Sequence, residues 1–349
     1  MRTAITEMFG VKYPILNAGM GRVALPVMVA AVSEAGGLGV LGAGSAPPAQ
    51  TREWIKEVRS LTDKPFGVNC PLALPNAMEN AKVCIEEQVP MINYSMGNGS
   101  WICEAMAKYG GKAIASITTK KLALSAQKHG CSAVIAAGTE AAGHAGPSTT
   151  MTLIPALREA LDIPIIAAGG VSTGQGLMAV IALGASGASM GTRFWTTVEG
   201  PMAQGWKERA LELDTTDTLF SDKFDGIPCR QMDVPGARKM MDAKALNYFS
   251  VLRESFKISK ELDIPWLKLT IDTLKKGPRE IQSMMRMAEM LKAHTHTMVS
   301  NDTSTGFTAV GQSVGLVHDL PTIAELIPRL VAEAEEAKRR LLDTSNVGA

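Results

Sequence analysis

The stretch "IPIIAAGGVSTGQG" at residues 163–176, with "GASMGTRF" following at 187–194, decides how this chain folds. A short β-branched run ends in paired glycines, a Ser-Thr start opens a helical pattern, and a second short strand closes the unit. Strand, crossover helix and strand in that order join parallel neighbours in a sheet. The same alternation extends outward over residues 14 to about 195. Strands are expected at "PILNA" (14–18), "GVLGA" (39–43), "PFGVNC" (65–70), "VPMINY" (89–94), "KAIASI" (112–117), "SAVIAA" (132–137), "IPIIAA" (163–168) and "GASMGT" (187–192). Eight such units predict an α/β protein of the closed (β/α)8 type, a TIM barrel with its functional loops at the C-terminal ends of the strands. A doubly wound open sheet uses the same elements, but no reversal of strand order is signalled.

The connecting segments carry helical periodicity. "LPVMVAAVSEAGG" sets Val27, Ala30, Ala31 and Glu34 at helical spacings and stops at glycines. After residue 195 the pattern turns polar, then runs into long helical stretches from about 237 to 299, including the methionine-rich "IQSMMRMAEMLKAH". The expected organisation is a barrel domain at 1–236 and 306–349, with a helical insertion at 237–305 as a lid over the barrel mouth. Methionines 284, 285, 287 and 290 suit core packing or an adaptable lid surface. "LPTIAELIPRLVAEAEEAKRRLL" reads as the last outer helix.

With 46% hydrophobic and 20% charged residues and a net charge of +1, the chain has neither a disordered composition nor an electrostatic footprint for nucleic acid. No apolar run approaches the roughly 20 residues of a bilayer span, and "MRTAITEMFGVKYP" lacks a signal-peptide core, so a cytoplasmic enzyme is expected. The five cysteines, at 70, 84, 103, 131 and 229, lack CxxC spacing and are expected to be reduced packing residues. "AHTHT" places His294 and His296 two apart without a third ligand, so no metal site is expected and both are read as solvent-facing.

The glycine clusters carry the chemistry. "GLGVLG" (37–42) matches GxGxxG in letters, but a helix precedes it and a strand contains it, the wrong order for a dinucleotide fingerprint. Gly169 and Gly170 after strand seven and Gly191 and Thr192 after strand eight can present backbone N–H groups to one anion, where barrels often hold phosphate. Gly19, Met20 and Gly21 after strand one leave room for a flat ring, and Asn69 ends strand three with an amide suited to a heteroaromatic edge. Ser116, at the end of strand five, is a further candidate. In "GTEAAGHAG" (138–146), His144 follows Gly143 on a loop after strand six, where an imidazole can exchange a proton at working pH. Glu140 in that loop orients the ring or braces the loop; bracing is the expectation.

The ordered set "PILNAGMG", "AVSEAGGLGVLGAG", "FGVN", "GTEAAGHAG", "IPIIAAGGVSTGQG", "LGASGASMGTRF" and "GQSVGLV" resembles the nitronate monooxygenase family, formerly the 2-nitropropane dioxygenases, and the related FMN-dependent enoyl-acyl-carrier-protein reductase. The likeness runs from residue 10 to about 200 and resumes near 306. It implies non-covalent FMN, with the phosphate on Gly169, Gly170, Gly191 and Thr192. Gly19, Met20, Gly21, Asn69, Ser116 and Gly143 make up the rest of the cofactor set. His144 is implied over the flavin as the catalytic residue. Two departures stand out: Ala142 replaces the first glycine of the usual Glu-Ala-Gly-Gly-His, and Ala145 stands where Arg often follows the histidine.

The leading expectation is oxidation of alkyl nitronates or nitroalkanes by dioxygen to a carbonyl compound and nitrite. The alternative is an NAD(P)H-dependent reductase of an enoyl thioester or quinone, which "TTMTL" (149–153) favours. A non-redox barrel binding a phosphate-bearing ligand is the third reading. The expected partners are a small-molecule substrate and a second copy in a homodimer, with neither nucleic acid nor membrane.

Overall fold

Eight parallel strands wind round one axis in the computed structural model, which describes residues 1–242 and 278–343. They are β1 (Ile15–Asn17), β2 (Gly39–Gly42), β3 (Phe66–Pro71), β4 (Met91–Ser95), β5 (Lys112–Ile117), β6 (Ala133–Ala137), β8 (Ile165–Ala168) and β9 (Gly187–Met190). Each lies where the sequence predicts a strand. Hydrogen bonding runs in the order β1-β9-β8-β6-β5-β4-β3-β2. The seam between β1 and β2 is closed by a bridge at Leu16 and Leu38, with Leu38 N–H donating to the Ile15 carbonyl at 2.9 Å. One residue along, the buried Asn17 side chain completes the closure. Its Nδ2 donates to the Val40 carbonyl and its Oδ1 accepts the Val40 N–H, both at 2.8 Å. A side-chain amide substitutes there for ladder bonds and leaves no polar group of that pair unmatched.

The barrel is filled, not hollow. Leu16, Val40, Met91, Ile114, Ile135 and Ile166 pack together, and Ile5 and Phe9 of α1 (Ala4–Phe9) join them. Phe9 also borders a cleft with Pro65 and Pro90, which directly precede β3 and β4, and with Lys112, the first residue of β5, so α1 covers the N-terminal end of the barrel. The C-terminal end is left for chemistry. Around the strands lie α2 (Pro26–Glu34), α3 (Pro48–Leu61), α4 (Ala77–Glu86), α5 (Ser100–Ala107), α6 (Lys120–Lys128), α7 (Thr150–Arg158) and α8 (Gly174–Ala182). The buried face of α2 is Pro26, Met28, Val29, Ala30, Val32 and Ser33, and Val27 points outward at 55% exposure. The helix is where its periodicity puts it, and of the helically spaced Val27, Ala30, Ala31 and Glu34 it is Ala30 that is buried.

The glycines of "GLGVLG" have a packing reason. A Cβ on Gly39 would stand 2.1 Å from the Val29 carbonyl of α2, and one on Gly42 would stand 2.0 Å from the Met20 carbonyl. The run lets a helix and the loop after β1 press onto strand β2.

A second apolar cluster sits beyond β9. It is built by α9 (Thr192–Trp195), α10 (Gln204–Leu211), the antiparallel strands β10 (Thr218–Ser221) and β11 (Cys229–Met232), α11 (Pro235–Asp242) and α12 (Pro278–Val299). Trp195, Trp206, Phe224, Met232, Met290 and Phe307 are among its buried members. The strands β10 and β11 fall in the stretch read from sequence as merely polar. Met290 packs inward as a core residue. Of the expected insertion at 237–305, residues 243–277 lie outside the described residues. The chain closes with α13 (Ile323–Leu342), started by a Thr322–Glu325 capping box and packed on α8 and α2. Among the described residues no helix is long and apolar enough to cross a membrane. The five cysteines are unbridged and buried.

Candidate active site

Loops after barrel strands meet the second cluster at the C-terminal end. The loop after β6 contains β7 (Gly143–His144), which pairs antiparallel with β11 so that His144 faces Cys229 and Gly143 faces Arg230. The Ala145 N–H donates to the Pro228 carbonyl at 3.4 Å and extends this pairing. The histidine is therefore held by a short piece of sheet, where the sequence alone suggests a loop.

Opposite the ring stands a residue that the sequence reading missed. Asp225, fully buried in the connection between β10 and β11, brings Oδ2 to 2.7 Å from His144 Nε2. Its Oδ1 accepts the Ile227 N–H at 3.0 Å. Asp225-Gly226 reads locally as an exposed turn, and nothing in its neighbours signals that the carboxylate folds inward. His144, Asp225 and Cys229 bring ligand-type atoms within 4.8 Å of one another. Burial pushes the Cys229 thiol up to about 12, so it stays neutral.

A polar chain leads away from this group. Gln231 Nε2 lies 3.6 Å from Cys229 Sγ, and its Oε1 is 3.1 Å from His294 Nε2 on α12. His294 also meets Phe307 edge-on, with ring centroids 5.7 Å apart. Desolvation holds the His294 imidazole down at about 4, partly opposed by the Asp225 charge. The expectation of a solvent-facing His294 is thus corrected: α12 turns it inward onto the hairpin. His296, on the same helix, meets Thr305 Oγ1 at 3.0 Å.

Glu140 braces. Its carboxylate accepts the Thr150 N–H at 3.0 Å and the Thr150 hydroxyl at 3.1 Å, tying the β6 loop to the start of α7. Arg230 grips the same loop, its Nε and Nη2 donating to the Thr139 carbonyl at 3.1 and 2.8 Å. Burial lowers the Arg230 pKa, opposed by Glu140. The "GQSVG" segment stitches the remaining loops: Gly311 N–H donates to Thr192 Oγ1 at 2.9 Å, Gln312 N–H to the Glu140 carbonyl at 2.9 Å, and Ser172 Oγ to the Ser313 carbonyl at 3.2 Å.

The sequence-derived residues fall into neighbouring groups. Gly169 and Gly170 adopt left-handed φ of 93° and 76°, conformations that glycine enters without penalty. A Cβ on Gly169 would press on Ala141 N at 2.7 Å, so the β8 loop lies directly against the histidine loop. Gly191 adjoins Met20 and Ala18, its notional Cβ being 3.6 Å from Met20 Sδ. Gly19 sits so close to Asn69 that a Cβ there would be 2.2 Å from the Asn69 Cβ, and Asn69 Nδ2 donates to the Gly19 carbonyl. Gly21 adjoins Gly44 of the β2 loop, 3.6 Å from its notional Cβ to the Gly44 Cα. Ser116 exchanges hydrogen bonds with Asn93, receiving one from Nδ2 at 2.9 Å and giving one to Oδ1 at 3.3 Å.

A filled parallel barrel with glycine-lined loops after its last two strands and a hydrogen-bonded histidine and carboxylate at its mouth has the build of an enzyme whose chemistry sits on the strand-end loops. The chain belongs to the nitronate monooxygenase family, whose model matches residues 2–99 and 102–333. A (3aS,4S,5R,7aS)-5-hydroxy-7a-methyl-1-oxo-octahydro-1H-indene-4-carboxyl-CoA dehydrogenase of Rhodococcus jostii is 34% identical over 96% of both chains. A probable nitronate monooxygenase of Staphylococcus saprophyticus is 30% identical over 69% of this chain and 81% of its own. Among solved structures, FabK from Thermotoga maritima superposes with a TM-score of 0.82 at 33% identity, covering 98% of this chain and 99% of that one. A nitroalkane oxidase from Streptomyces ansochromogenes gives 0.76 at 26%, covering 97% and 100%.

Proposed function

We propose that this protein is an FMN-dependent oxidoreductase whose substrate is carried as an acyl thioester of the coenzyme A type, with His144 as its acid–base residue. The cofactor fits the residues present. Asn69 Oδ1 is buried and has no hydrogen-bond partner among the described residues, which leaves an acceptor for a ring N–H beside Gly19. Gly170 is exposed and Gly191 has only Met20 and Ala18 near its missing side chain, so the backbone at both turns is open to an anion. Gly169, Gly170, Gly191 and Thr192 would hold the phosphate, and Met20, Asn69, Gly19, Gly21, Ser116 and Gly143 would border the ring. Bound there, a flavin supplies hydride acceptance and donation; NAD(P)H is the donor in the reductive direction.

The observation that carries the substrate reading is the His144–Asp225 contact. An alcohol being oxidised, or a carbon being protonated after reduction, needs a group that takes or gives a proton at a fixed place. A nitronate is already deprotonated, and a buried carboxylate 2.7 Å from the ring opposes a second anion beside it. Ala145 supplies no cation to offset that repulsion. The alignment supports the same choice, since the likeness to CoA-ester dehydrogenases runs the length of the chain. Nitronate oxidation is the second reading, favoured by the family match.

Anaerobic stopped-flow separates them. The thioester reading expects the bound flavin to bleach with NADH or NADPH and to recolour on adding an enoyl-CoA such as crotonyl-CoA. A flavin that stays oxidised with both nucleotides, together with oxygen uptake on adding propionate nitronate, overturns it in favour of the second.

A further inference from the structure

We infer that Asp225 is a positioning residue: it holds His144 as the Nε2–H tautomer, leaving the Nδ1 lone pair as the site of proton exchange with substrate. This deepens the acid–base reading above and rests on it for the role of the proton, though not for the geometry. Three observations lead to it. Asp225 directs one carboxylate oxygen to the Ile227 N–H and the other to the ring at 2.7 Å. A carboxylate accepts and does not donate, so the hydrogen on that axis belongs to Nε2. A neutral imidazole has one N–H, and the nitrogen without it is then Nδ1, for which no protein partner stands among the described residues. The sheet register of His144 against Cys229 and the Ala145–Pro228 bond carry the histidine backbone on the hairpin that also bears Asp225. The distance between the two is set by backbone pairing and not by a flexible loop.

Among the described residues the surroundings leave this role to Asp225 alone. Cys229 is a neutral thiol, and His294 is uncharged near pH 7 because its ring is desolvated. Gln231 is engaged with Cys229, Met290 and His294. Arg22 donates to Thr295 Oγ1 at 2.7 Å, and no contact links it to His144. Of the groups facing this centre, the Asp225 carboxylate is the one that fixes which ring nitrogen is bare. For an alcohol substrate, Nδ1 would take the hydroxyl proton while the carbinol hydride goes to the flavin, and would return it to oxygen in the reverse; for an enoyl thioester reduced by hydride from the flavin, the proton would go to carbon. Nε2–H stays bonded to Asp225 throughout, and the carboxylate does not take the proton.

The test is long-range 1H–15N NMR on the FMN-loaded protein labelled at its histidines, with His144→Gln identifying the His144 ring signals. In the wild-type enzyme His144 is expected to show a protonated Nε2 and an acceptor-type Nδ1. In Asp225→Asn, whose amide can donate as well as accept, the ring is expected to populate the other tautomer while the flavin stays bound. Turnover of crotonyl-CoA is then expected to fall about 10²-fold or more through kcat, with KM little changed, and Asp225→Glu should restore part of it. An Nδ1–H tautomer in the wild-type protein overturns the inference, whether or not the variant folds. So does an unchanged tautomer in a folded Asp225→Asn. If crotonyl-CoA and related thioesters are not turned over at all, the thioester reading fails, and the wild-type tautomer still decides the role of Asp225.

Discussion

Replacing Gly191 by alanine separates cofactor grip from fold. Gly191 follows β9 directly with φ −97° and ψ −72°, a conformation open to any L-residue, so the backbone makes no demand for glycine. The new methyl would meet Met20 Sδ at 3.6 Å and the Ala18 Cβ at 3.7 Å, ordinary van der Waals contacts. Stability should therefore change by no more than about 0.5 kcal/mol, the usual range for a substitution that disturbs no packing. Binding is another matter. If the N–H groups at 191 and 192 face the FMN phosphate, a methyl at 191 stands between them and the anion. Losing one charge-assisted hydrogen bond costs about 1.5–3 kcal/mol, which weakens FMN binding about 10- to 150-fold. Flavin fluorescence titration of stripped protein measures this, with riboflavin as the control because it lacks the phosphate. The expected result is a large loss of FMN affinity, little change for riboflavin, and an unchanged melting temperature. An FMN affinity within twofold of wild type in a folded variant refutes the phosphate assignment, and equal losses for FMN and riboflavin place the ring, not the phosphate, at Gly191.

Two further outcomes follow from the site. His144→Ala should purify yellow, lose some thermal stability because the buried Asp225 carboxylate gives up its 2.7 Å partner, and lose about 10²- to 10⁴-fold in turnover, the span of a missing acid–base group; steady-state kinetics with the bound flavin quantified checks this. His294, held at about 4 against 6.5 for a free imidazole, binds its proton in the unfolded chain first as the pH falls. Stability is therefore undiminished above about pH 6.5 and declines between 6.5 and 4, by at most about 3 kcal/mol. His294→Gln should flatten melting temperature against pH across that window, and an unchanged slope would contradict the inward placement of the ring.

The barrel was legible because its signals are local. Each strand is a short apolar run between turn residues, and the inside of a filled barrel demands that pattern wherever it is cut. The glycine turns at 169–170 and 191 were legible for the same reason, since a backbone that must leave room near a helix start advertises it in composition. The inward face of α2 was not, because residues such as Ala30 and Ala31 fit either side of a helix and the neighbouring α3 decides which is covered. The hairpin of β10 and β11 escaped because two of its buried residues, Arg230 and Gln231, are polar. "CRQM" is fully buried, yet Arg230 and Gln231 are tolerated there only because Thr139, Thr218 and His294 satisfy them from distant parts of the chain. Asp225 escaped on the same ground: its partner lies 81 residues away.

That division has a functional consequence. The groups suited to a cofactor are mainly backbone atoms at the ends of barrel strands, whose positions follow from strand register and glycine geometry. The groups that surround His144 come from the second cluster, through β11, Asp225 and α12. A change of side chain in the hairpin can alter what His144 meets without moving the glycine turns, because β11 touches the barrel through β7 and the Arg230 contacts to Thr139. Relatives that share this barrel but act on different substrates should then differ first between residues 201 and 314. It is in that span, and not in the glycine turns, that a thioester enzyme and a nitronate enzyme would part.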